Sequence, residues 1–262
     1  MATTAQLDTA DLTKRVKDMY EEVALHPERE FHFETGRPLA EHLGYPPAEL
    51  DRIPAAAIDS FAGVGYFLDL AAIEAGDVVL DLGSGSGTDS LLAALAAGQA
   101  GRVIGVDMTD EQLAKATRLA EEAGIGNAEF RRGMIEKPPV KAGSVDCVIS
   151  NGVINLSPDK AAVFAAAAAA LRPGGRLAIA DIVSAKPLPE GVTCDASLWA
   201  ACIGGAMQRD RYLETIERAG FEIGEVREND YRFVSDRADN ATQKYGVTSI
   251  SLLARRTEEG SG

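Results

Sequence analysis

Cysteine and positive charge are both scarce in this sequence, and each shortage excludes a class of protein. The three cysteines in 262 residues, Cys147, Cys194 and Cys202, are too few for a disulfide framework and lack the spacing of a zinc site. We therefore expect reduced thiols and no bound metal. The net charge of −14 opposes attraction to phosphate backbones and anionic lipid, so neither nucleic acid nor a membrane is expected as a partner.

Long apolar runs are missing as well. Charged residues interrupt the first twenty positions, which hold no apolar stretch long enough for a signal peptide. No run of about 18 strongly apolar residues suggests a membrane span. These absences predict a cytoplasmic protein whose partner is a small molecule, and they leave the choice between monomer and homodimer open.

Past residue 75 the chain alternates between apolar strands and helical segments. Strands are predicted at 77–82, 102–107, 128–131, 145–150 and 176–182, with helices at 88–98, 110–123 and 158–172. This alternation predicts a parallel sheet with right-handed crossovers. Two later strands, 221–226 and 247–254, follow a helix at 209–219 and have no crossover helix between them, so they predict an antiparallel pair at the sheet edge.

The remaining segments frame this core. Apolar residues at helical spacing over 10–24 predict an N-terminal helix, and an irregular aromatic stretch follows it. The predicted organisation is a cap (1–74), a core (75–183), a substrate lid (184–208), a C-terminal helix with two strands (209–256) and a tail (257–262). The fold class is α/β, a mainly parallel sheet with an antiparallel edge and a helical N-terminal cap.

Three helix ends carry capping signals. Thr109 with Gln112 three residues later predicts a capping box, and Ser157-Pro158 predicts an N-cap followed by a first-turn proline. The RPGG stretch at 172–175 predicts the end of the alanine-rich helix.

A glycine-rich loop directly follows the first core strand and predicts a nucleotide-type pocket. Gly83, Gly85 and Gly87 permit a tight turn whose amides approach a ligand, and Asp107 ends the next strand, where a carboxylate can accept both hydroxyls of a ribose. Asp81, at the end of the first strand, is placed to bind a ligand ammonium or to brace the loop. The G-x-G-x-G spacing favours S-adenosylmethionine over a nicotinamide dinucleotide, whose pattern needs a glycine three residues after the second. A purely structural glycine turn is the remaining alternative.

Four motifs in order, VLDLGSGSG (79–87), VIGVDMT (103–109), SNGVINLSPDK (150–160) and LRPGGRLAIADIV (171–183), carry a resemblance. The chain resembles the class I S-adenosylmethionine-dependent methyltransferases, and within them the arsenite methyltransferase family. The resemblance implies a Rossmann-like class I methyltransferase core. It reaches WAACIGGAM (199–207) and fades over the first 55 residues.

The resemblance also implies a set of cofactor-binding residues. They are Tyr20, Ser60, Asp81, Gly83, Ser84, Gly85, Asp107, Met108, Ile135, Glu136 and Asn151. In this assignment Asp81 lies near the ammonium of the cofactor, Asp107 holds the ribose and Asn151 faces the sulfonium.

Thiols define the expected substrate chemistry. The arsenite family pattern implies thiols at three positions around the pocket, and this chain matches it only at Cys202, with Ser90 and Gly152 at the other two. Cys194, eight residues before Cys202, is a candidate second sulfur. Methyl transfer from a sulfonium to thiolate or trivalent arsenic needs alignment more than base catalysis, so the predicted acceptor is a small soft nucleophile. The two missing thiols favour a thiol or sulfide as that acceptor over arsenite.

Two alternatives remain open. In the FHFE segment at 31–34, His32 or Glu34 is a candidate base for an O- or N-methyltransferase of a small secondary metabolite. The second alternative is a non-catalytic cofactor-binding protein on the same fold.

Overall fold

A computed structural model describes residues 9–29, 31, 33–193, 199, 203–233 and 242–258. Its centre is a single sheet in the order β3-β2-β1-β4-β5-β8-β7, with β6 paired to β5. The strands are β1 Val78–Leu82, β2 Arg102–Asp107, β3 Ala128–Arg132, β4 Val145–Asn151, β5 Leu171–Ser184, β6 Met207–Gln208, β7 Phe221–Asn229 and β8 Val247–Arg256.

The pairing directions match the alternation of the sequence. Strands β1 to β5 pair in parallel, whereas β8 pairs antiparallel with both β5 and β7. The prediction of a mainly parallel sheet with an antiparallel edge is therefore confirmed. The strand order reverses between β1 and β4, and ligands in such sheets bind at that point, beyond the carboxyl ends of the strands.

Apolar cores lie on both faces of the sheet. Successive side chains of a strand point to opposite faces, and Val79 and Leu80 accordingly belong to different apolar clusters. Because both faces are covered, β1 is apolar except for Asp81, and residues 147–149 form an apolar run in β4, as expected for parallel strands.

Helices surround the sheet and build the cap. They are α1 Thr9–Leu25, α2 Gly36–His42, α3 Pro47–Leu50, α4 Ala55–Ile58, α5 Leu68–Ala71, α6 Thr88–Ala97, α7 Asp110–Glu122, α8 Lys160–Ala170, α9 Glu190–Thr193 and α10 Arg209–Arg218, with a 3₁₀ turn at Ile154–Leu156. In the part of the chain that the structure describes, no helix has the length and apolarity to cross a membrane.

The last turn of α1 is held by side chains of other elements. Ser60 Oγ donates to Val23 O at 3.0 Å, and Lys115 Nζ donates to Ala24 O at 3.0 Å. These donors satisfy carbonyl groups that a helix end leaves without intrahelical partners. Helix α1 is thereby fastened across α7, over the carboxyl ends of the strands.

The three capping predictions were wrong in detail. Thr109 is the N-cap residue of α7 but makes no side-chain cap hydrogen bond, and the Gln112 side chain bonds Ser86 and Tyr20 instead. Helix α8 is capped by Asp159, whose Oδ1 accepts from Ala162 N at 2.9 Å, rather than by Ser157. The RPGG stretch belongs to the start of β5, since α8 already ends at Ala170.

Candidate functional site

One cavity lies beyond the carboxyl ends of β1, β2 and β4, beneath α1. We call it the strand-end cavity. All the predicted cofactor-binding residues line it, namely Tyr20, Ser60, Asp81, Gly83, Ser84, Gly85, Asp107, Met108, Ile135, Glu136 and Asn151. Residues from the cap, the glycine loop and the strand ends, far apart in the sequence, therefore share one chamber.

The glycine loop forms the turn that the sequence predicts. Gly83 and Gly85 have φ angles of 78° and 50°, a region that side chains with a Cβ rarely adopt. A Cβ on Gly83 would lie 2.4 Å from Val153, so the loop packs tightly there. Among the described residues, a Cβ on Gly85 would meet only Gln112 Oε1, at 3.9 Å, and would project into space that a ligand can use.

Asp107 braces this loop while lining the cavity. Its carboxylate accepts from Gly85 N at 3.0 Å and from Thr109 N at 2.8 Å. Burial raises the pKa of Asp107, and these backbone hydrogen bonds oppose the rise. The carboxylate therefore fixes the loop backbone and lies at the cavity wall, where the sequence predicts an acceptor for a ribose.

A second acid, Asp81, lies buried at the end of β1. Ser90 Oγ donates to its Oδ2 at 2.5 Å. Burial, together with the nearby carboxylate of Asp89, raises the pKa of Asp81 to about 8. A cationic group placed beside Asp81 would reverse this shift.

Asp89 and Tyr45 complete a polar cluster that the sequence did not reveal. Tyr45 Oη donates to Asp89 Oδ1 at 2.5 Å. Burial raises the pKa of Asp89 to about 6, against the hydrogen bonds that Tyr45 and Asn151 donate to it. Asp89 follows the glycine loop directly, in the first turn of α6, and that position was the only sequence signal for it.

Asn151 ties the end of β4 to the cap. Its Oδ1 accepts from Val64 N at 2.7 Å, and its Nδ2 lies 3.0 Å from Gly65 O and 3.1 Å from Asp89 Oδ2. The side chain is thus fixed in place while it lines the cavity, which suits a residue predicted to face a sulfonium.

Gln112 links the glycine loop to α1. Its Nε2 donates to Tyr20 O at 2.9 Å, and its Oε1 accepts from Ser86 Oγ at 2.5 Å. One side chain therefore connects the loop with the helix that covers it.

The family resemblance also implies a site for the adenine of the cofactor in this cavity. Met108, Ile135 and Glu136 line it, and Glu136 Oε1 accepts from Ser157 Oγ at 2.5 Å. The apolar side chains of Met108 and Ile135 offer a surface of the kind that an adenine ring requires.

The cavity suits a cationic nucleoside. Its ionisable side chains among the described residues are all acidic, namely Asp81, Asp89, Asp107 and Glu136. Within the described part of the chain, the buried Ser84 Oγ has no hydrogen-bond partner, so it is left to bind a ligand. An amino-acid ammonium, a sulfonium and a ribose therefore find matching groups. The described residues include no cluster of potential metal ligands.

The residues predicted for catalysis are mostly not among those described. Cys202, Cys194 and His32 lie outside the described residues. Glu34 lies in a second, surface cleft with Phe31, Phe33 and His42 rather than in the strand-end cavity. These assignments remain predictions.

Ser90 and Gly152, the two positions at which the resemblance implies further thiols, have the following surroundings. Ser90 is fully buried and hydrogen bonds Asp81. Gly152 has a φ of 71°, and a Cβ there would lie 3.1 Å from Val64 Cγ1. Cys147 is buried in β4, and burial raises the pKa of its thiol to about 12, so it behaves as the small apolar residue that the sequence predicts.

Known proteins share both the sequence and the geometry of this core. Residues 73–220 match the family model of the methyltransferase domain. The arsenite methyltransferase of Halobacterium salinarum is 40% identical over 220 residues, which cover 83% of this chain and 56% of that protein. The arsenite methyltransferase of Aquipseudomonas alcaligenes is 40% identical over 171 residues, covering 63% and 47%. The chain thus spans about half the length of these two relatives.

A solved structure agrees with the sequence relatives. The arsenic(III) S-adenosylmethionine methyltransferase of Chlamydomonas reinhardtii superposes with a TM-score of 0.64 at 31% identity. The match covers 86% of this chain and 74% of that one.

Proposed function

Because the chain belongs to the methyltransferase domain family, we propose that it transfers a methyl group from S-adenosylmethionine to a small soft nucleophile. The acceptor is the sulfur of sulfide or a simple thiol, or trivalent arsenic. The observation that carries the proposal is the strand-end cavity, which gathers the glycine loop, Asp81, Asp107 and Asn151 around one acidic chamber.

S-adenosylmethionine supplies an activated methyl group on a sulfonium when bound. Asp107 accepts from the ribose, Asp81 pairs with the ammonium, and Ser84 offers its hydroxyl to the carboxylate end. Helix α1 covers the cavity through Val16 and Tyr20. Closing the chamber excludes water and holds the reacting atoms in line, which is what a displacement at a methyl carbon requires.

The soft acceptor is supported by the relatives and by the chemistry of the pocket. Two relatives are arsenite methyltransferases, and trivalent arsenic and thiolate are both soft nucleophiles. In the transfer a lone pair of sulfur or arsenic would form the new bond to the methyl carbon while the bond from that carbon to the sulfonium breaks, leaving a neutral thioether. Arsenic would thereby pass formally from the trivalent to the pentavalent state. A thiol must also lose its proton, and the positive charge of the sulfonium lowers the pKa of a thiol bound beside it.

The choice between a thiol and arsenite as the acceptor depends on which cysteines of the protein could hold arsenic. Ser90 and Gly152 supply no sulfur where the arsenite family pattern has it, so Cys202 and Cys194 are the thiols left to hold arsenic near the site. We therefore give a thiol or sulfide acceptor the greater weight.

An acceptor panel tests the proposal. Release of S-adenosylhomocysteine is measured with sulfide, methanethiol, larger thiols, arsenite with and without glutathione, and several phenols and amines. We expect the soft nucleophiles to turn over fastest. A phenol or amine that outpaces every one of them would establish the O- or N-methyltransferase alternative. Tight binding without turnover of any acceptor would indicate a cofactor-binding protein instead.

Matched cysteine variants then distinguish an arsenic acceptor from a sulfur acceptor. Cys202→Ser and Cys194→Ser should abolish turnover of arsenite but spare that of methanethiol, if the two thiols serve as arsenic ligands. Cys147→Ser, in the middle of β4, is the control for a general loss of thiol.

A further inference from the structure

A buried lysine lies just outside the strand-end cavity, at the first residue of α8. Lys160 is 5% exposed. Its Nζ donates to Asn155 O at 3.0 Å and to Ser157 O at 2.9 Å. Ser157 and Leu156 line the cavity, so Lys160 anchors the backbone of that wall.

The same ammonium contacts the predicted lid. Nζ lies 5.1 Å from the centroid of the Trp199 ring, within the range of a cation–π interaction. Trp199 is 6% exposed, and its indole Nε1 donates to Thr193 O at 2.6 Å. The indole thus joins two described parts of the 184–208 segment to α8.

Two glycines show how closely this segment fits. A Cβ on Gly205 would lie 2.0 Å from Asn155 O, and one on Gly204 would lie 2.4 Å from Trp199 Cδ1. Since contacts this short are not tolerated, only glycine lets the segment approach the Asn155 backbone and the indole. The segment is therefore fitted to the same carbonyl that Lys160 holds.

Two carboxylates, Asp181 of β5 and Glu136 between β3 and β4, influence the ammonium. Asp181 of β5 is buried and accepts from Tyr212 Oη of α10 at 2.7 Å. Asp181 and Glu136 both attract the charge of Lys160, whereas burial dominates and lowers the pKa of Lys160 to about 8. Burial raises the pKa of Asp181 to about 6. At neutral pH the ammonium and the Asp181 carboxylate are therefore both charged.

We propose that Lys160 is a positioning residue that docks Trp199 against the wall of the strand-end cavity to shape the acceptor chamber. The expected effect on acceptor turnover rests on the proposed methyl transfer. The contact between Lys160 and Trp199 does not. Lys160 is not among the described residues that line the cavity, and it acts through the backbone of residues 155–157 and through the indole.

Packing alone would not require a charge at this position. Burying an ammonium costs free energy that a methionine of similar length would not. If Lys160 only filled space, Lys160→Met would leave Trp199 in place and would leave the protein as stable or more so. If Lys160 docks Trp199, the same variant would release the indole without unfolding the core.

The sequence provides a direct reporter, because Trp199 is its single tryptophan. In Lys160→Met we expect the emission of Trp199 to shift to longer wavelength and acrylamide to quench it more strongly. The control is Lys141→Met, which alters an exposed lysine and should leave both signals unchanged. Unchanged emission and quenching in a folded Lys160→Met variant would overturn the proposal.

A pH titration of the emission tests the same contact. Raising the pH through about 8 neutralises Lys160, so the emission of Trp199 should change with that midpoint. Asp181 is already ionised there, and the pKa of Tyr212 lies well above 10.0. Asp81 also has a pKa of about 8, so the change should persist in Asp81→Asn and be absent from Lys160→Met. A flat profile between pH 7 and 9 would count against a charged Lys160 beside the ring.

Kinetic measurements distinguish a loss of Trp199 docking from a general disruption of the protein. With whichever of sulfide, methanethiol or arsenite turns over fastest, Lys160→Met should lower kcat/KM for the acceptor about tenfold while the Kd of S-adenosylmethionine changes little. An equal loss in cofactor binding and acceptor use would indicate a structural role only and would overturn the assignment. If no acceptor turns over, the proposed function fails, whereas the fluorescence result still decides the role of Lys160.

Discussion

Tyr45 and Asp89, 44 residues apart, form a 2.5 Å hydrogen bond in the interior, between the cap and the first turn of α6. Tyr45 is 1% exposed, and Asn151 Nδ2 lies 3.0 Å from its hydroxyl and 3.1 Å from Asp89 Oδ2. Three elements therefore meet at one buried polar contact beside the strand-end cavity. A buried polar cluster of this kind stabilises only while each member keeps its partners.

Removing the phenol hydroxyl should weaken both folding and cofactor binding. In Tyr45→Phe, one carboxylate oxygen of Asp89 loses its donor in a buried position, which costs about 1–3 kcal/mol of unfolding free energy. The pKa of Asp89 should rise further, since the lost hydrogen bond opposes the rise. Denaturant unfolding and the Kd of S-adenosylmethionine measure the two effects.

Tyr66→Phe is the matched control. The ring of Tyr66 packs edge to face on Tyr45 with centroids 4.8 Å apart, so the same atom is removed from the same aromatic cluster. An equal loss of stability in the two variants would show that the Tyr45–Asp89 contact has no special weight.

Asp107 should account for much of the affinity for the cofactor. Asp107→Asn replaces one acceptor oxygen by a donor, so the carboxamide cannot serve the ribose and both backbone amides as the carboxylate does. The loss of a charged acceptor predicts a Kd about tenfold to a hundredfold weaker, measured by calorimetry. Asp110→Asn alters an exposed carboxylate that pairs with Arg132 and should change the Kd less than about twofold. Unaltered affinity in Asp107→Asn would refute the ribose assignment.

The sequence predicted the parts of the site that depend on local pattern. The glycine loop lies between a buried strand and a helix, and Asp107 ends the next strand, so strand periodicity and loop position together placed both at one edge of the sheet. The cap residues Tyr20 and Ser60 came from the family resemblance alone, since their own periodicity does not distinguish a ligand contact from core packing.

The parts that escaped prediction depend on contacts between distant residues. Gln112 suggested a capping box with Thr109, but its amide instead donates to Tyr20 O, 92 positions away. No sequence pattern singles out Tyr45, and its bond to Asp89 crosses from the cap to α6. Such pairings depend on how the cap docks on the sheet, and no single-sequence pattern encodes that docking.

Gly85 should tolerate a methyl group for folding but not for binding. Its φ of 50° makes Gly85→Ala strained by about 1 kcal/mol, and the new Cβ would enter the cavity near Gln112. Gly124 has a φ of 67°, and a Cβ added there would meet no atom of the described residues within 4 Å, so it offers the same backbone strain outside the cavity. We expect similar losses of unfolding free energy in Gly85→Ala and Gly124→Ala, but a weaker Kd for S-adenosylmethionine only in the former. Equal affinities would show that the ligand does not approach Gly85.

The acid at the end of β1 predicts a pH dependence of cofactor binding. Asp81 has a pKa of about 8 in the free protein, so it is largely protonated at pH 7, and a bound ammonium favours its ionised form. Below pH 8, binding should then release a proton from Asp81. The contribution of Asp81 alone makes the affinity rise with pH up to about 8 and level off above it. The α-amino group of the ligand titrates near the same pH, and it weakens binding as it loses its charge. Asp81→Asn therefore serves as the reference, since only the ligand titrates in that variant. Calorimetry in buffers of different ionisation enthalpy counts the protons released, and equal proton release by Asp81→Asn and the unmodified protein would show that Asp81 does not face the cation.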